Sequence, residues 1–329
     1  MTPDDRSAGA RRRRGDAEVT QLVAAARRGD PRAVARLITL VESNGPAAVE
    51  LAAALAPHTG RAEVIGLTGA PGVGKSTTTS ELVRAFRAQG KRVGVLAVDP
   101  SSPFTGGAIL GDRVRMQAHA TDPGVYIRSM SSRGHLGGLA AATPQAVRVL
   151  DAAGCDVILV ETVGVGQAEV DVASLADTTL VLLAPGMGDA IQAVKAGILE
   201  IADIFVVNKA DRDGADATYR DIQGMIALGE RAPGEWRPPV VRAVATRGEG
   251  IDEIVAAIAK HRQWLTSHGE LRRRREQRAA AEVEAIVLEA VRGRIAALGD
   301  GTTLRTLAAA VAAGRTDPYT AADDILASI

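Results

Sequence analysis

One cysteine stands in 329 residues. Cys155 alone excludes an intrachain disulfide and any cysteine-cluster metal site. Aromatic residues make up only 2%, so a core has to be assembled from Ala, Val, Leu and Ile. Neither sign of charge is in excess: 39 Lys and Arg balance 39 Asp and Glu, which gives no reason to expect nucleic acid or an acidic membrane as partner. No uninterrupted apolar run reaches membrane-spanning length. No apolar leader opens the chain either, where Arg11 to Arg14 stand instead. A soluble, cytoplasmic protein is the expectation. What is present, 46% hydrophobic and 24% charged residues, is an ordinary globular balance that rules out wholesale disorder. The length suggests about two domains.

Residues 1–15 mix Pro3, glycines, charges and the arginine run, and read as a disordered, solvated tail. Residues 16–60 turn helical. Leu22, Val23 and Ala26, then Val34, Leu37, Ile38 and Val41, recur at i, i+3, i+4 spacing, interrupted at Gly29-Asp30-Pro31. Asp30 before Pro31 is a helix start, an N-cap followed by a first-turn proline.

From Arg61 short Val/Ile/Leu runs alternate with amphipathic stretches: Val64–Thr68, Val93–Val98, Val125–Met130, Val157–Val160, Thr179–Ala184, Ile204–Val207 and Val240–Val244. Most are apolar without alternation, as strands covered by helices on both faces should be. The repetition predicts an α/β fold with a mainly parallel sheet, in which ligands bind at the carboxyl ends of the strands. After Gly250 the strands stop. A long helical region is expected from Ile251 through Leu298, with Arg272–Arg275 within it and an apolar stripe at Val283, Ile286, Val287, Ala290 and Val291. That stripe needs a partner surface: either a second copy of itself, giving a symmetric dimer, or the N-terminal helices.

The strongest signal is Gly69-Ala70-Pro71-Gly72-Val73-Gly74-Lys75-Ser76, followed by Thr77. It is a full GxxxxGK[ST] match, set between a strand and the helix expected over Ser76–Ala88. The glycines let successive N–H groups turn inward on phosphate oxygens, the helix N-terminus adds its dipole, and Lys75 reaches the terminal phosphates. Ser76 offers a hydroxyl to Mg²⁺. These residues predict a nucleoside triphosphate site. Strand Ile204–Val207 ends in Asn208-Lys209-Ala210-Asp211, an NKxD. A carboxylate at Asp211 can accept both N1–H and the 2-amino hydrogens of guanine, which adenine does not offer. Asn208 and Lys209 support ring and loop, and backbone amides of Ala245-Thr246-Arg247 can meet the guanine oxygen. Guanine is the expected base.

Metal and switch elements follow. Strand Asp156–Val160 runs into Glu161-Thr162-Val163-Gly164, where Glu161 can hold a Mg²⁺ water and the Gly164 amide can sense the γ-phosphate. Asp99 closes its own strand at the same edge, and Asp112, in the following loop, is a further metal candidate. After Pro185-Gly186-Met187-Gly188 comes a helix with Asp189, Gln192 and Lys195 on one face, which keeps Lys195 as a charge stabiliser for phosphoryl transfer. The histidines show no ligand spacing. His58, His261 and His268 read as incidental, and His135 as a loop residue.

In order and spacing, GAPGVGKST, VDPSSP, RGHLGG, ETVGVGQ, APGMGD and NKAD resemble the MeaB/ArgK family of P-loop GTPases. These are the methylmalonyl-CoA mutase-associated GTPases of the SIMIBI class. The resemblance covers Arg61 to Gly250 and extends loosely to the N-terminal helices and to the segment with Asp317-Pro318-Tyr319. It implies a P-loop NTPase three-layer αβα domain over residues 61–262, flanked by helical extensions, with residues 263–329 forming a C-terminal dimerisation segment. It implies a homodimer that hydrolyses GTP to GDP, with Mg²⁺. It also implies a chaperone for an adenosylcobalamin-dependent acyl-CoA mutase, where hydrolysis gates cofactor delivery and protection. By the same resemblance Lys75 belongs to the phosphate cradle; Ser76, Asp99, Asp112 and Glu161 to the Mg²⁺ environment; Asn208, Lys209 and Asp211 to the guanine motif; and Lys195 to a switch mobilised by the mutase. Members often carry Ser in the last base-contacting loop where Ala245 stands; backbone contacts survive that change. Two other readings remain: a kinase linked to arginine/ornithine transport, against which NKAD argues, and a metal-insertion GTPase, for which Cys or His ligands are lacking.

Overall fold

The computed structural model describes residues 17–43, 47–100, 117–119, 121–132, 142–162, 168–186, 199–229, 232, 234–297 and 302–328. Seven strands, β1 (Glu63–Thr68), β2 (Val93–Pro100), β3 (Val125–Ser132), β4 (Val157–Thr162), β5 (Thr178–Leu183), β6 (Ile204–Val207) and β7 (Val240–Arg242), form one sheet in the order β3-β2-β4-β1-β5-β6-β7. Every pairing is parallel. Every residue of β1, β4, β5 and β6 is buried, which is why these segments read as unbroken apolar runs.

The strands are roofed on both faces. Leu96, Val98, Ile158 and Val160 turn to one layer with α5 (Ala142–Ala152) and α6 (Ala168–Leu175); Val95, Leu159, Leu67 and Leu182 turn to the other with α4 (Lys75–Ala88) and α8 (Ile251–Ser267). The helix α7 (Ala215–Leu228) buries Ile222 and Ile226 against β5 and β6. This is the three-layer αβα arrangement of P-loop NTPases.

The N-terminal helices α1 (residues 17–27), α2 (Pro31–Glu42) and α3 (Ala47–Leu55) complete the first layer. Asp30 caps α2 as its position before proline requires, its carboxylate accepting from the amides of Arg32 at 2.9 Å and Ala33 at 3.4 Å. Leu37, Ile38 and Val41 turn inward. The Arg128–Glu42 ion pair ties α2 to β3.

Aspartates fix the amino edge of the sheet. The Asp156 carboxylate accepts from the Arg92 amide at 2.7 Å, Asp177 from Val64 at 3.1 Å, and Asp203 from Thr179 at 2.8 Å. Strand-start amides that the ladder leaves over are thereby satisfied, and this edge is closed by structure. Chemistry is left to the carboxyl edge.

Two expectations need correction. The region expected as one helix from Ile251 to Leu298 is broken: α8 stops at Ser267 and α9 (Glu270–Ala297) begins anew. Gly269, at φ 72, supplies the left-handed turn that ends α8. Strand β7 closes at Arg242, short of Val244, because Val244 turns to pair antiparallel with Glu249 across the tight turn Ala245–Arg247.

The chain divides into two compact units between Leu271 and Arg272. The second unit holds α9 from Arg272 onward, then α10 (Thr302–Ala312) and α11 (Pro318–Leu326), the latter capped by Asp317. On α9, Val283, Ile286 and Val287 are 61%, 59% and 54% exposed. Among the described residues no helix is long and apolar enough to cross a membrane.

Candidate functional site

The site grows from the end of β1. Three glycines of the loop, Gly69 (φ 138), Gly72 (φ 80) and Gly74 (φ 97), take conformations that disfavour any other residue. Two are also forced by contact. A Cβ on Gly69 would lie 2.3 Å from the Leu182 carbonyl oxygen, and one on Gly74 would lie 2.3 Å from the Asn208 amide nitrogen. The loop is thus clamped between β5 and the end of β6. Helix α4 then opens with Gly74 at its N-cap, a residue that has no side chain to cap the helix. A positive helix end faces the carboxyl edge of the sheet.

Lys75 is buried, and its ammonium donates to the carbonyls of Gly69 at 2.6 Å and Ala70 at 3.1 Å. The cation sits inside the loop that the sequence assigns to phosphate. Glu161, 2% exposed, lies in register with Leu67 of β1 and Ala97 of β2. Its carboxylate accepts from the Ser76 hydroxyl at 2.6 Å and from the Thr79 hydroxyl at 2.9 Å. Ser76 and Glu161 are 85 residues apart and meet because the β1–β4 register puts the strand end beside the helix start. Hydroxyl and carboxylate oxygens are the hard donors that Mg²⁺ prefers, so the pair fits that ion.

The NKxD segment closes the opposite wall. Asn208 donates from its side-chain amide to the Val73 carbonyl at 2.8 Å and accepts from the Ala245 amide at 3.1 Å. One side chain thereby fastens the phosphate loop to the turn Ala245–Arg247. Lys209, at φ 56, donates to the Gly72 carbonyl at 2.7 Å. Arg247 donates to the Asp211 carboxylate at 3.2 Å. Residues from the ends of β1, β4, β6 and β7 are thus brought to one edge.

Not every expected residue belongs to the described part. Asp112, His135, Gly164 and Lys195 lie outside the described residues, and for Asp99 only the backbone, at the end of β2, is described. Among the described residues no three His, Cys, Asp or Glu side chains gather for a metal.

Two features escaped the sequence. Thr79 is one of three consecutive threonines, and nothing in the local pattern singles it out. His261, read as incidental, is fully buried: it shares a 2.9 Å hydrogen bond with Thr178, faces Asp203 at 3.2 Å and lies against Trp236 and Trp264. Both tryptophans of the chain meet there, at the amino edge, away from the phosphate loop. Cys155 packs in the core of the first layer, and burial pushes its thiol up to about 12.

This fold, with the phosphate loop and the Asn208 bridge, defines a P-loop GTPase. The profile of the methylmalonyl Co-A mutase-associated GTPase MeaB family matches residues 34–300, and the chain belongs to that family. A relative from Pyrococcus abyssi is 50% identical over 313 residues, 94% of this chain and 97% of its own. GTPase ArgK of Escherichia coli is 39% identical over 269 residues, 80% of this chain and 81% of its own. A crystal structure of an LAO/AO transport system kinase superposes with a TM-score of 0.72 at 30% identity, covering 94% of this chain and 96% of that one. The protein is a GTP-hydrolysing enzyme.

Proposed function

We propose that the chain hydrolyses GTP to GDP and phosphate at the carboxyl edge of its sheet, as chaperone to an adenosylcobalamin-dependent acyl-CoA mutase, methylmalonyl-CoA mutase foremost. In this role GTP turnover gates delivery of the cofactor and its protection. The observation that carries the mutase link is the match to a mutase-associated family over residues 34–300. The 2.6 Å Ser76–Glu161 contact beside the loop supports the hydrolytic half.

Roles follow from position. Amides of Gly69 to Thr77, except that of Pro71, which lacks an N–H, cradle the phosphates, and Lys75 leaves its carbonyl partners to neutralise the terminal ones. Ser76 and Glu161 would hold Mg²⁺, which supplies charge neutralisation on the phosphates when bound. Asp99 and Asp112 belong to the same environment, the Gly164 amide to γ-phosphate sensing, and Lys195 to charge stabilisation once a partner docks. Asp211 reads the guanine edge, with Asn208, Lys209 and the amides of Ala245, Thr246 and Arg247 around the base. The exposed face of α9 joins two copies into a homodimer. A cytoplasmic location fits this role.

The test is single-turnover GTP hydrolysis by the purified chain with and without methylmalonyl-CoA mutase. Stimulation well above the basal rate is expected; an unchanged rate overturns this client. The likeness to an LAO/AO transport system kinase keeps one rival in view. Labelled phosphate appearing on an acceptor protein, in place of inorganic phosphate, would establish that rival.

A further inference from the structure

We infer that Thr79 is the positioning residue for the Glu161 carboxylate, and that it sets the affinity of the site for Mg²⁺. The inference rests on the proposed Mg²⁺-dependent nucleotide site and adds to it a residue outside the sequence motif.

The Thr79 hydroxyl has a single proton to give. A threonine within a helix ordinarily spends its hydroxyl proton on the carbonyl four residues back. Thr78 does so with Gly74 at 3.0 Å, and Thr218 with Gly214 at 3.2 Å. Thr79 has that acceptor too, the Lys75 carbonyl at 3.0 Å, but the Glu161 carboxylate lies as near, at 2.9 Å. One proton cannot serve both fully. The bond to an ionised carboxylate is the stronger, and Thr79 is fully buried, so no water competes.

Ser76 and Thr79 stand three apart on α4 and therefore on one face. Between them they grip both oxygens of Glu161, Ser76 at one and Thr79 at the other. The two grips differ in permanence. Ser76 is the residue that would turn its oxygen to the metal, giving up its hold on Glu161. Thr79 carries no such duty, so it keeps the carboxylate aimed while the metal is bound. Groups that orient a metal ligand without touching the metal typically shift affinity by about 10–100-fold.

The experiment follows release of a fluorescent GDP analogue from the full chain, in EDTA and across a Mg²⁺ titration, for the parent, Thr79→Val and Thr79→Ser. Valine keeps the shape and removes the hydroxyl; serine restores it. Release in EDTA is expected to be alike in all three. The Mg²⁺ concentration for half-maximal slowing is expected to rise about 10–100-fold in Thr79→Val and to return towards the parent in Thr79→Ser. A Thr79→Val half-point equal to the parent's, or a shift that serine does not reverse, overturns the inference. Thr79→Ala repeats the test should the valine variant fold poorly. Failure of the parent itself to bind the GDP analogue would overturn the proposed nucleotide site, and the role of Thr79 with it. That outcome is distinct from a parent that responds to Mg²⁺ and a valine variant that matches it.

Discussion

The Arg247 guanidinium donates to the Asp211 carboxylate at 3.2 Å. A guanidinium presents the same N–C–N donor edge as guanine does at N1 and the 2-amino group. The chain therefore sets one guanidinium N–H on the carboxylate proposed above to read the base. Both side chains are partly exposed, so the pair is worth only about 0.2–1 kcal/mol. Arg247→Ala is expected to tighten guanine nucleotide binding about 1.4–5-fold, with the gap closing at high salt. Titration calorimetry at two ionic strengths measures this; weaker binding by Arg247→Ala would mean that the arginine instead holds the bound base. Asp211→Asn is expected to favour xanthine nucleotides, since its amide meets a second carbonyl.

The loop glycines are not equivalent. Gly69→Ala drives a Cβ to within 2.3 Å of the Leu182 carbonyl oxygen, in addition to a backbone conformation closed to alanine. A loss of about 3 kcal/mol or more is expected. Gly72→Ala meets nothing within 4 Å and should cost about 1–2 kcal/mol from its φ alone. Urea denaturation of the two variants checks the order, and equal losses would contradict it.

Arg87 grips Asp122 with two bonds, at 2.8 and 2.9 Å, and the Gly124 amide adds a third at 2.8 Å. The arginine foremost, then the amide, holds the Asp122 carboxyl below its usual range. A depressed folded value stabilises the fold above the unfolded pKa of about 3.9, and the contribution disappears as pH falls through the folded value. Asp122→Asn is expected to melt below the parent at pH 7, with the difference shrinking below about pH 4. A difference constant from pH 7 to pH 3 would contradict the assignment.

If α9 joins two copies, a charge in its exposed stripe must separate them. Ile286→Asp is expected to lower the mass in solution from dimer to monomer, with the first unit still folded. Light scattering reads the mass, and a parent that is already monomeric refutes the dimer.

Much of this is legible in the sequence itself. The phosphate loop, the strand before it and the helix after it are a local pattern, and unbroken apolar runs marked the strands because each central strand is buried on both faces. Asp30 before Pro31 announced its helix. Gly269 was equally visible, yet the good helix formers on both sides masked the break it makes. Thr79 could not be told from Thr77 and Thr78, since its distinction is a carboxylate 82 residues away in the chain.

The sequence by itself determined the fold class, the phosphate loop and the residues at the ends of the strands, because those depend on short-range periodicity and on backbone conformations that only certain residues adopt. Tertiary structure alone decided who meets whom: Glu161 with Ser76 and Thr79, Asn208 between Val73 and Ala245, Arg247 on Asp211, and His261 against the two tryptophans. Those meetings follow from strand order and parallel register, which bring residues far apart in the chain together at the two edges of the sheet. No window along the chain encodes that distance.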